Sequence, residues 1–418
     1  MLATPEIVTD AVLPIRVADR VSRWLRDVPL YRGRSVAAQP LALISPGEFA
    51  HLSFITKQDI RRGFPGNFLH DKGSLENLIE RGLVELEHTS GTSEERTPLL
   101  MGRGWWAEQE RRALKLNVTA AKVLAKNAEA RRVTISSPVC SGDICYTGVP
   151  SREERTLGSA LFLSLTRLPF LWSEHDLARM AAEAVDWQPE FLDVDPVYGV
   201  LFALYCEREG IQLPSLRFII CTYEFVSVVH RRILQRVFGV PVLDLYGSTE
   251  TGHLLMEDEK GWMRPSLETA YLEVINPDQN GVGELVVTTL TNEYMPLIGY
   301  RIGDLVQKQV HGTDISYTVH GRFIDAVNTA GECRVTTLQI DNYFEKLNGL
   351  IHYQLARHGA SKWVLRLVPD RTPPMPAEVD TLRGEIQDLL ETEDLTIQMV
   401  KLVMPEKSGK FRLVYPGQ

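Results

Sequence analysis

The sequence predicts an α/β protein with a large N-terminal domain and a small C-terminal domain, and three patterns support this prediction. Between residues 105 and 245, helix-like and strand-like segments alternate, which is typical of parallel sheets flanked by helices. Between residues 271 and 319 the segments are short and β-rich, which indicates an antiparallel or barrel-like subdomain. After Gly321 a mixed order of helices and strands predicts a separate α+β domain.

Each element follows from the spacing of its apolar residues. In the large domain we predict helix 105–127, strand 133–136, helix 175–185, helix 196–209, strand 216–221, helix 228–238 and strand 240–245. The β-rich runs are 271–275, 284–289 and 315–319. In the small domain we predict helix 337–347, strands 351–356 and 362–368, helix 377–390 and strand 396–404. The expected domains are therefore 1–321 and 322–418.

The composition is that of an ordinary globular protein with enough apolar residues for a large core. The 418 residues are 44% hydrophobic and 24% charged. A net charge of −9 gives no broad basic surface, so we expect neither nucleic acid nor an anionic membrane as the main partner. The longest apolar stretch, 161–172, is short and contains Arg167, and residues 1–10 carry no basic leader. We therefore expect a cytoplasmic protein.

The cysteines form an odd, scattered set: Cys140, Cys145, Cys206, Cys221 and Cys333. A set without a dense disulfide framework fits a reducing cytosol. Cys140 and Cys145 have a C-x₄-C spacing, but no second Cys or His pair nearby has zinc-finger spacing. We therefore expect buried thiols rather than a zinc site.

One short run combines the chemical groups that bind a nucleotide and its metal, namely Asp244-Leu245-Tyr246-Gly247-Ser248-Thr249-Glu250. It follows a strand-like segment, so its polar side chains are expected at the carboxyl end of a strand, where open α/β sheets bind ligands. Tyr246 offers a ring to a base, and Gly247 permits close approach to the backbone. Thr249 offers a donor to phosphate, and Glu250 offers the hard oxygen that Mg²⁺ prefers. By itself the run is equally compatible with an ordinary strand-to-turn junction.

Further motifs occur in a fixed order along the chain. Upstream, Thr89-Ser90-Gly91-Thr92-Ser93 has four hydroxyls and a glycine, which suit a loop that holds phosphates through N–H and O–H donors. Downstream are Tyr300-Arg301-Ile302-Gly303-Asp304, Gly321-Arg322-Phe323-Ile324-Asp325 and Ser408-Gly409-Lys410. No G-x-x-x-x-G-K-[ST] run occurs, which disfavours a P-loop NTPase.

This ordered series resembles the acyl-adenylate-forming superfamily of acyl-CoA synthetases, adenylation domains and luciferases. Within it the likeness is to phenylacetate-CoA ligases and coenzyme F390 synthetases, and the runs 52–59, 283–290 and 293–301 look like that branch. The resemblance extends from residue 52 to residue 412. It implies a large AMP-binding domain and a small, mobile C-terminal domain with its hinge at Gly321-Arg322.

The resemblance also implies the roles of the site residues. Residues Thr89, Ser90, Gly91, Thr92 and Ser93 would hold the β- and γ-phosphates. Thr249 would contact the α-phosphate, Glu250 would hold Mg²⁺, and Lys410 would stabilise the charge of the adenylation transition state. The base and ribose would be bound by Glu224, Asp244, Tyr246, Gly247, Asp304 and Arg322. Tyr223, Ser248 and His253 are the implied candidates for the acyl pocket.

Departures from the family pattern affect these expectations, and one is that cysteines which some members carry after the Tyr-Gly motif are missing from residues 251–257. Glu94 and Glu95 continue the phosphate loop, where their charges repel a triphosphate unless Arg96 compensates. Tyr223 stands where the pattern has a glycine. Ile324 occupies the position of the hinge aspartate, with an aspartate next to it.

The implied function is ATP-dependent activation of a carboxylic acid, aromatic or otherwise small, to an acyl-AMP, followed by transfer to CoA. ATP and Mg²⁺ would be required, with CoA as co-substrate. Two alternatives remain open. The acceptor is a carrier-protein thiol or an amine, since one fold serves all of these reactions. Otherwise the chain is a nucleotide-binding non-enzyme, which Glu94 and Ile324 favour and the retention of Lys410, Glu250 and Asp304 opposes.

Overall fold

The computed structural model describes residues 7–8, 15–32, 54–69, 73–89, 96–138, 150–329, 334–359 and 362–416. Its α-helices are α1 Ile15–Asp27, α2 Lys57–Arg61, α3 Leu75–Glu80, α4 Trp105–Leu114, α5 Val118–Lys126, α6 Glu174–Trp187, α7 Pro196–Glu209, α8 Val228–Phe238, α9 Thr337–Asn342 and α10 Pro376–Leu390. None of the helices in this part of the chain has the length and apolar character needed to cross a membrane.

The strands up to the middle of the chain are β1 Ile7–Val8, β2 Val84–His88, β3 Pro98–Gly102, β4 Arg132–Ile135, β5 Thr156–Leu157, β6 Ala160–Phe162, β7 Phe191–Val194, β8 Phe218–Cys221, β9 Val242–Ser248 and β10 Gly252–Glu257. The remaining strands are β11 Met263–Pro265, β12 Ala270–Ile275, β13 Val282–Thr289, β14 Tyr300–His311, β15 Asp314–Arg322, β16 Val327–Asn328, β17 Arg334–Val335, β18 Leu350–His358, β19 Lys362–Pro369, β20 Leu395–Met399 and β21 Val414–Tyr415.

The chain packs into two compact units, each made of two separate segments. The first unit comprises Met1–Asn117 and Tyr246–Val319, and the second comprises Val118–Leu245 and His320–Gln418. A domain boundary at residue 321, and the mobility of the C-terminal domain, remain predictions.

The first unit is built on antiparallel strands. Strands β1, β12, β13, β14, β15, β11 and β10 are neighbours in that order, and β2 and β3 form a separate hairpin. One apolar core joins α1 to the hairpin and the start of β14, with Trp24, Phe68, Leu100 and Tyr300 fully buried. The predicted β-rich texture of residues 271–319 is confirmed as antiparallel sheet.

The second unit contains the parallel sheet. Strands β9, β8, β7, β4 and β6 run parallel in that order, and β5 pairs antiparallel at the edge. Its helices begin at residues whose side chains accept backbone N–H hydrogen bonds, because these caps satisfy donors that the first turn leaves free. Ser173 caps α6, Asp195 caps α7 ahead of Pro196, and Ser227 caps α8.

The C-terminal segment adds a second, mixed sheet to this unit. Its strand order is β20, β19, β18, β21, in which β18 and β19 are antiparallel and the outer pairs are parallel. The apolar core is continuous between the two segments of the unit, since Ile233 of α8, Phe344, Tyr353 and Leu355 belong to one buried cluster.

Most predicted elements are present, with altered bounds. The predicted helix 105–127 is two helices, because the chain turns at Lys115 and the Asn117 side chain donates to the carbonyl of Glu257 at 3.0 Å. The predicted helix 337–347 ends at Asn342, and the predicted strand 396–404 ends at Met399. The sequence patterns did not reveal the hairpin of β2 and β3 or the strand β10.

Candidate active site

Glu250 lies just beyond β9, in a turn closed by a hydrogen bond of 3.2 Å from the Thr251 amide to the Ser248 carbonyl. Its side chain is only 4% exposed. The Lys57 ammonium and the Tyr300 hydroxyl each lie 3.0 Å from Glu250 Oε1. Burial alone would raise the pKa of the Glu250 carboxyl, but the Lys57 charge and hydrogen bonds lower it below its usual value. The carboxylate is therefore ionised at neutral pH.

The motif of residues 300–304 lies beside the motif that contains Tyr246 and Glu250. The Tyr246 hydroxyl donates a hydrogen bond of 2.6 Å to Asp304 Oδ2, so it holds the carboxylate predicted to bind ribose. Burial and the charge of Glu250 raise the pKa of the Tyr300 hydroxyl, and the charge of Asp304 contributes to the same shift. Tyr300 therefore remains a protonated donor close to both carboxylates. We call Lys57, Tyr246, Glu250, Tyr300 and Asp304 the Glu250 cluster.

Glu250 fits Mg²⁺ in the manner typical of nucleotide sites, where one or two carboxylates and substrate phosphates supply oxygens to the ion. Within the described ranges, no group of three or more His, Cys, Asp or Glu side chains is arranged to hold a metal ion.

Gly247 has a structural requirement of its own. A Cβ atom added there would lie 2.2 Å from the carbonyl oxygen of Gly252, closer than atoms can approach. The exclusion of side chains at this position is thus explained by packing within the first unit, whether or not a ligand approaches.

The predicted phosphate loop lies only partly in the described structure. Ser90, Gly91, Thr92 and Ser93 lie outside the described residues, as does Glu94. Thr89 is buried and closes the hairpin of β2 and β3, since its amide donates to the Thr97 carbonyl and its hydroxyl accepts from the Thr97 amide, both at 3.0 Å. The loop is therefore carried by a hairpin that the sequence patterns did not predict.

The other predicted residues of the first unit lie near β9 and β10. Ser248 and Thr249 are half-buried, and the Ser248 and Thr251 hydroxyls are 3.0 Å apart. His253 is buried, and its ring packs on that of Trp106 with centroids 4.8 Å apart. A role of Ser248 and His253 in an acyl pocket stays a prediction.

The second unit places Lys410 beside two acids. Both carboxylate oxygens of Glu224 accept from the Phe411 amide, at 2.7 and 2.9 Å. Asp195 is buried, and burial raises its pKa to about 7, against hydrogen bonds from its helix and the positive charge of Lys410. Burial and the charge of Asp195 raise the pKa of Glu224 well above its usual range, while Lys410, the Phe411 amide and Arg322 act in the opposite direction. We call Asp195, Glu224, Lys410 and Phe411 the Lys410 cluster.

Tyr223 adopts a backbone conformation that explains why the family pattern has glycine there. Its φ is +70°, in the left-handed region that side chains disfavour by roughly 1–2 kcal/mol. Its hydroxyl lies 3.4 Å from Asp193 Oδ2, and the hydroxyl of Thr222 donates to Asp193 Oδ1 at 2.7 Å. Asp244 is half-buried on β9, beside Cys221 of β8.

At the predicted hinge, Ile324 is exposed and Asp325 is buried. Asp325 is paired with Arg412, whose Nε donates at 2.6 Å to Asp325 Oδ1. Arg322 is exposed, and its charge affects the pKa of both Glu224 and Asp325. The described cysteines Cys206 and Cys221 are buried and form no disulfide, as predicted, while Cys140, Cys145 and Cys333 lie outside the described residues.

Five residues were given no role from the sequence: Lys57, Asp195, Tyr300 and Phe411 of the two clusters, and Arg412, the partner of Asp325. Lys57, Tyr300 and Arg412 lie within or beside runs that resemble the family, but no spacing rule connects them to Glu250 or Asp325. Asp195 has a local signal, since an aspartate before a proline at a helix start predicts a cap. That signal gives no indication of its proximity to Lys410.

Comparisons with known proteins agree with the resemblance. The Pseudomonas putida phenylacetate-coenzyme A ligase is 27% identical over 305 residues, covering 67% of this chain and 62% of that protein. The Escherichia coli (strain K12) phenylacetate-coenzyme A ligase is 26% identical over 305 residues, covering 67% and 63%. The chain thus spans less than two thirds of the length of these relatives. No protein-family model matches it.

Solved structures show the same fold. A 2-hydroxyisobutyryl-CoA ligase in the postadenylation state, in complex with 2-HIB-AMP, has a TM-score of 0.68 at 18% identity, covering 96% of this chain and 88% of that one. The anthranilate CoA ligase AuaEII in complex with anthranoyl-AMP has a TM-score of 0.56 at 13% identity, covering 79% and 65%. The chain is therefore similar in sequence to phenylacetate-coenzyme A ligases and shares its fold with CoA ligases of known structure.

Proposed function

We propose that the chain is an AMP-forming acid:CoA ligase, which activates a carboxylic acid with ATP and transfers the acyl group to CoA. The observation that carries this proposal is the Glu250 cluster. Glu250 and Tyr300 lie 50 residues apart in the chain, and the Tyr300 hydroxyl donates a hydrogen bond of 3.0 Å to Glu250. A second hydrogen bond, of 2.6 Å, joins Tyr246 to Asp304. The carboxylates that we assign to Mg²⁺ and to ribose thus lie in one cluster, and this supports the use of ATP.

The chain's own residues supply positioning and charge. Glu250 would hold Mg²⁺, which when bound neutralises phosphate charge. Lys57 is half-exposed, so we expect its ammonium to turn toward the triphosphate once the ion occupies Glu250. Asp304, held by Tyr246, would accept from the ribose hydroxyls. Lys410 would stabilise the negative charge that develops as the carboxylate attacks the α-phosphate and pyrophosphate leaves.

The substrate and acceptor are proposed from the relatives. Phenylacetate and anthranoyl-AMP are named for two of them, which favours an aromatic or other small acid. CoA is favoured over a carrier-protein thiol or an amine because the relatives named above are CoA ligases. We also propose a cytoplasmic location, which the need for ATP and CoA and the scattered cysteines support.

The test is acid-dependent exchange between ATP and labelled pyrophosphate over a panel of carboxylic acids. The mass of the product is then measured after reaction with CoA, a carrier protein or an amine. We expect exchange with at least one small acid and an acyl-CoA product. If exchange occurs but product forms only on a carrier protein or an amine, that acceptor replaces CoA in the proposal. Nucleotide binding without exchange on any acid would support the non-enzyme alternative.

A further inference from the structure

The three consecutive residues Lys410, Phe411 and Arg412, with Gly409 before them, form what we call the Lys410 segment. Each of these three residues makes a separate contact. The carbonyl of Lys410 accepts from the Glu406 amide at 2.8 Å, which closes a tight turn. The Phe411 amide donates to Glu224, and the Arg412 side chain is paired with Asp325. Of these partners, Glu224 alone comes from the Val118–Leu245 segment, 187 residues from Phe411.

The backbone beside Lys410 also fits closely against the same segment. Gly409 has φ +88°, and a Cβ atom there would lie 2.6 Å from the Ser137 hydroxyl at the end of β4. Phe411 is 3% exposed and packs edge-on against Phe170 and Tyr198. Close packing therefore positions the Lys410 segment in addition to the hydrogen bond to Glu224.

Groups of opposite charge lie around Lys410. Asp195 and Glu224 both carry raised pKa values, chiefly because of burial, and the two carboxylates repel each other. The charge of Lys410 acts against both shifts, because a nearby cation favours the ionised form of a carboxyl group. Lys410 supplies the opposing positive charge, and Arg322 adds a weaker one.

We propose that Glu224 is a positioning residue that fixes the Lys410 segment. Its carboxylate accepts the hydrogen bond of the Phe411 amide and, together with Asp195, offsets the charge of Lys410. The catalytic consequence rests on the proposed function, because it assumes that Lys410 acts in adenylation. The contacts that position the Lys410 segment do not depend on any substrate. This role differs from the adenine contact that the resemblance implies for Glu224, and the two roles predict different kinetics.

The direct test is hydrogen–deuterium exchange at the Phe411 amide, resolved with overlapping peptides and without substrates. We expect exchange about tenfold faster in Glu224→Ala than in the wild type, with a smaller increase in Glu224→Gln, which keeps one acceptor oxygen. Asp195→Asn retains a good helix cap while it removes the charge, so it isolates the electrostatic contribution. Glu385→Gln, at an exposed position of α10, is the matched control.

The kinetic test distinguishes seating from adenine binding. In pyrophosphate exchange, Glu224→Gln should lower kcat about tenfold with little change in the KM for ATP, since the nucleotide contacts remain. A raised KM with unchanged kcat and an unchanged Phe411 exchange rate would overturn the proposal in favour of the adenine role. If the wild type shows no ligase activity, the proposed function fails, and the amide exchange still decides whether Glu224 seats the segment.

Discussion

The Glu250 carboxylate is almost fully buried and still ionised, because Lys57 and Tyr300 lie 3.0 Å from one of its oxygens. Burial disfavours the charged form, and only a close cation and hydrogen bonds reverse that preference. The sequence indicated Glu250 as a metal ligand through its motif. It could not indicate that the lysine of a distant run neutralises it, since this pairing depends on tertiary packing.

At this scale we predict that Glu250→Gln lowers kcat/KM for Mg·ATP by one to two orders of magnitude. An amide cannot provide the charged oxygen that Mg²⁺ prefers, and it leaves the Lys57 ammonium unpaired. The measurement is a magnesium titration of pyrophosphate exchange, with Glu80→Gln at an exposed position of α3 as the control. An unchanged magnesium dependence would remove Glu250 from the site.

At the scale of elements, the alternation of helices and strands predicted the parallel sheet of the second unit, because buried parallel strands are continuous apolar runs. The hairpin of β2 and β3 was not predicted, although it carries the phosphate motif. The run Val84-Glu85-Leu86-Glu87-His88 of β2 alternates apolar and polar residues, which is the pattern of a half-buried strand, and this signal was overlooked. The short link from β9 to β10 was missed because its motif was interpreted only as a ligand-binding turn.

The close approach of β9 and β10 leads to a stability prediction. Gly247→Ala should lower the melting temperature by several degrees, since its Cβ would lie 2.2 Å from the Gly252 carbonyl oxygen. Gly384→Ala in α10, where an added Cβ meets nothing within 4 Å, should leave the melting temperature unchanged or raise it. Equal melting temperatures for the wild type and Gly247→Ala would contradict the packing explanation.

At the scale of the whole molecule, distant segments of the second unit are joined through α8. The Asp341 carboxyl accepts from the Val228 amide and the Tyr353 hydroxyl, both at 2.8 Å. Arg232 donates to the carbonyls of Phe344 and Leu347 at 2.9 and 2.7 Å. The imidazoles of two buried histidines of the same core stack with their nitrogens 3.0 Å apart. Sequence periodicity placed these elements but not their contacts, which depend on long-range packing.

This arrangement gives a pH prediction. Burial raises the pKa of Asp341 to about 7, so the folded state binds its proton more tightly than the unfolded state. The resulting stability is present below pH about 4 and is lost as the pH rises toward 7. Asp341→Asn should therefore make the fall in unfolding free energy less steep by roughly 1.4 kcal/mol per pH unit in that window. Urea unfolding across pH measures this, with the exposed Asp380→Asn as control; an unchanged slope in Asp341→Asn would contradict it.

The central claim is that Lys410 serves adenylation, and the most direct test compares the two half-reactions in Lys410→Ala. We predict that this variant loses about two or more orders of magnitude in pyrophosphate exchange, as expected when a charge-stabilising donor is removed. Given chemically prepared acyl-AMP and CoA, it should form the thioester at close to the wild-type rate, because Lys410 is not needed once the anhydride exists. Equal losses in both half-reactions would contradict the claim and would mean that Lys410 supports the fold or both steps.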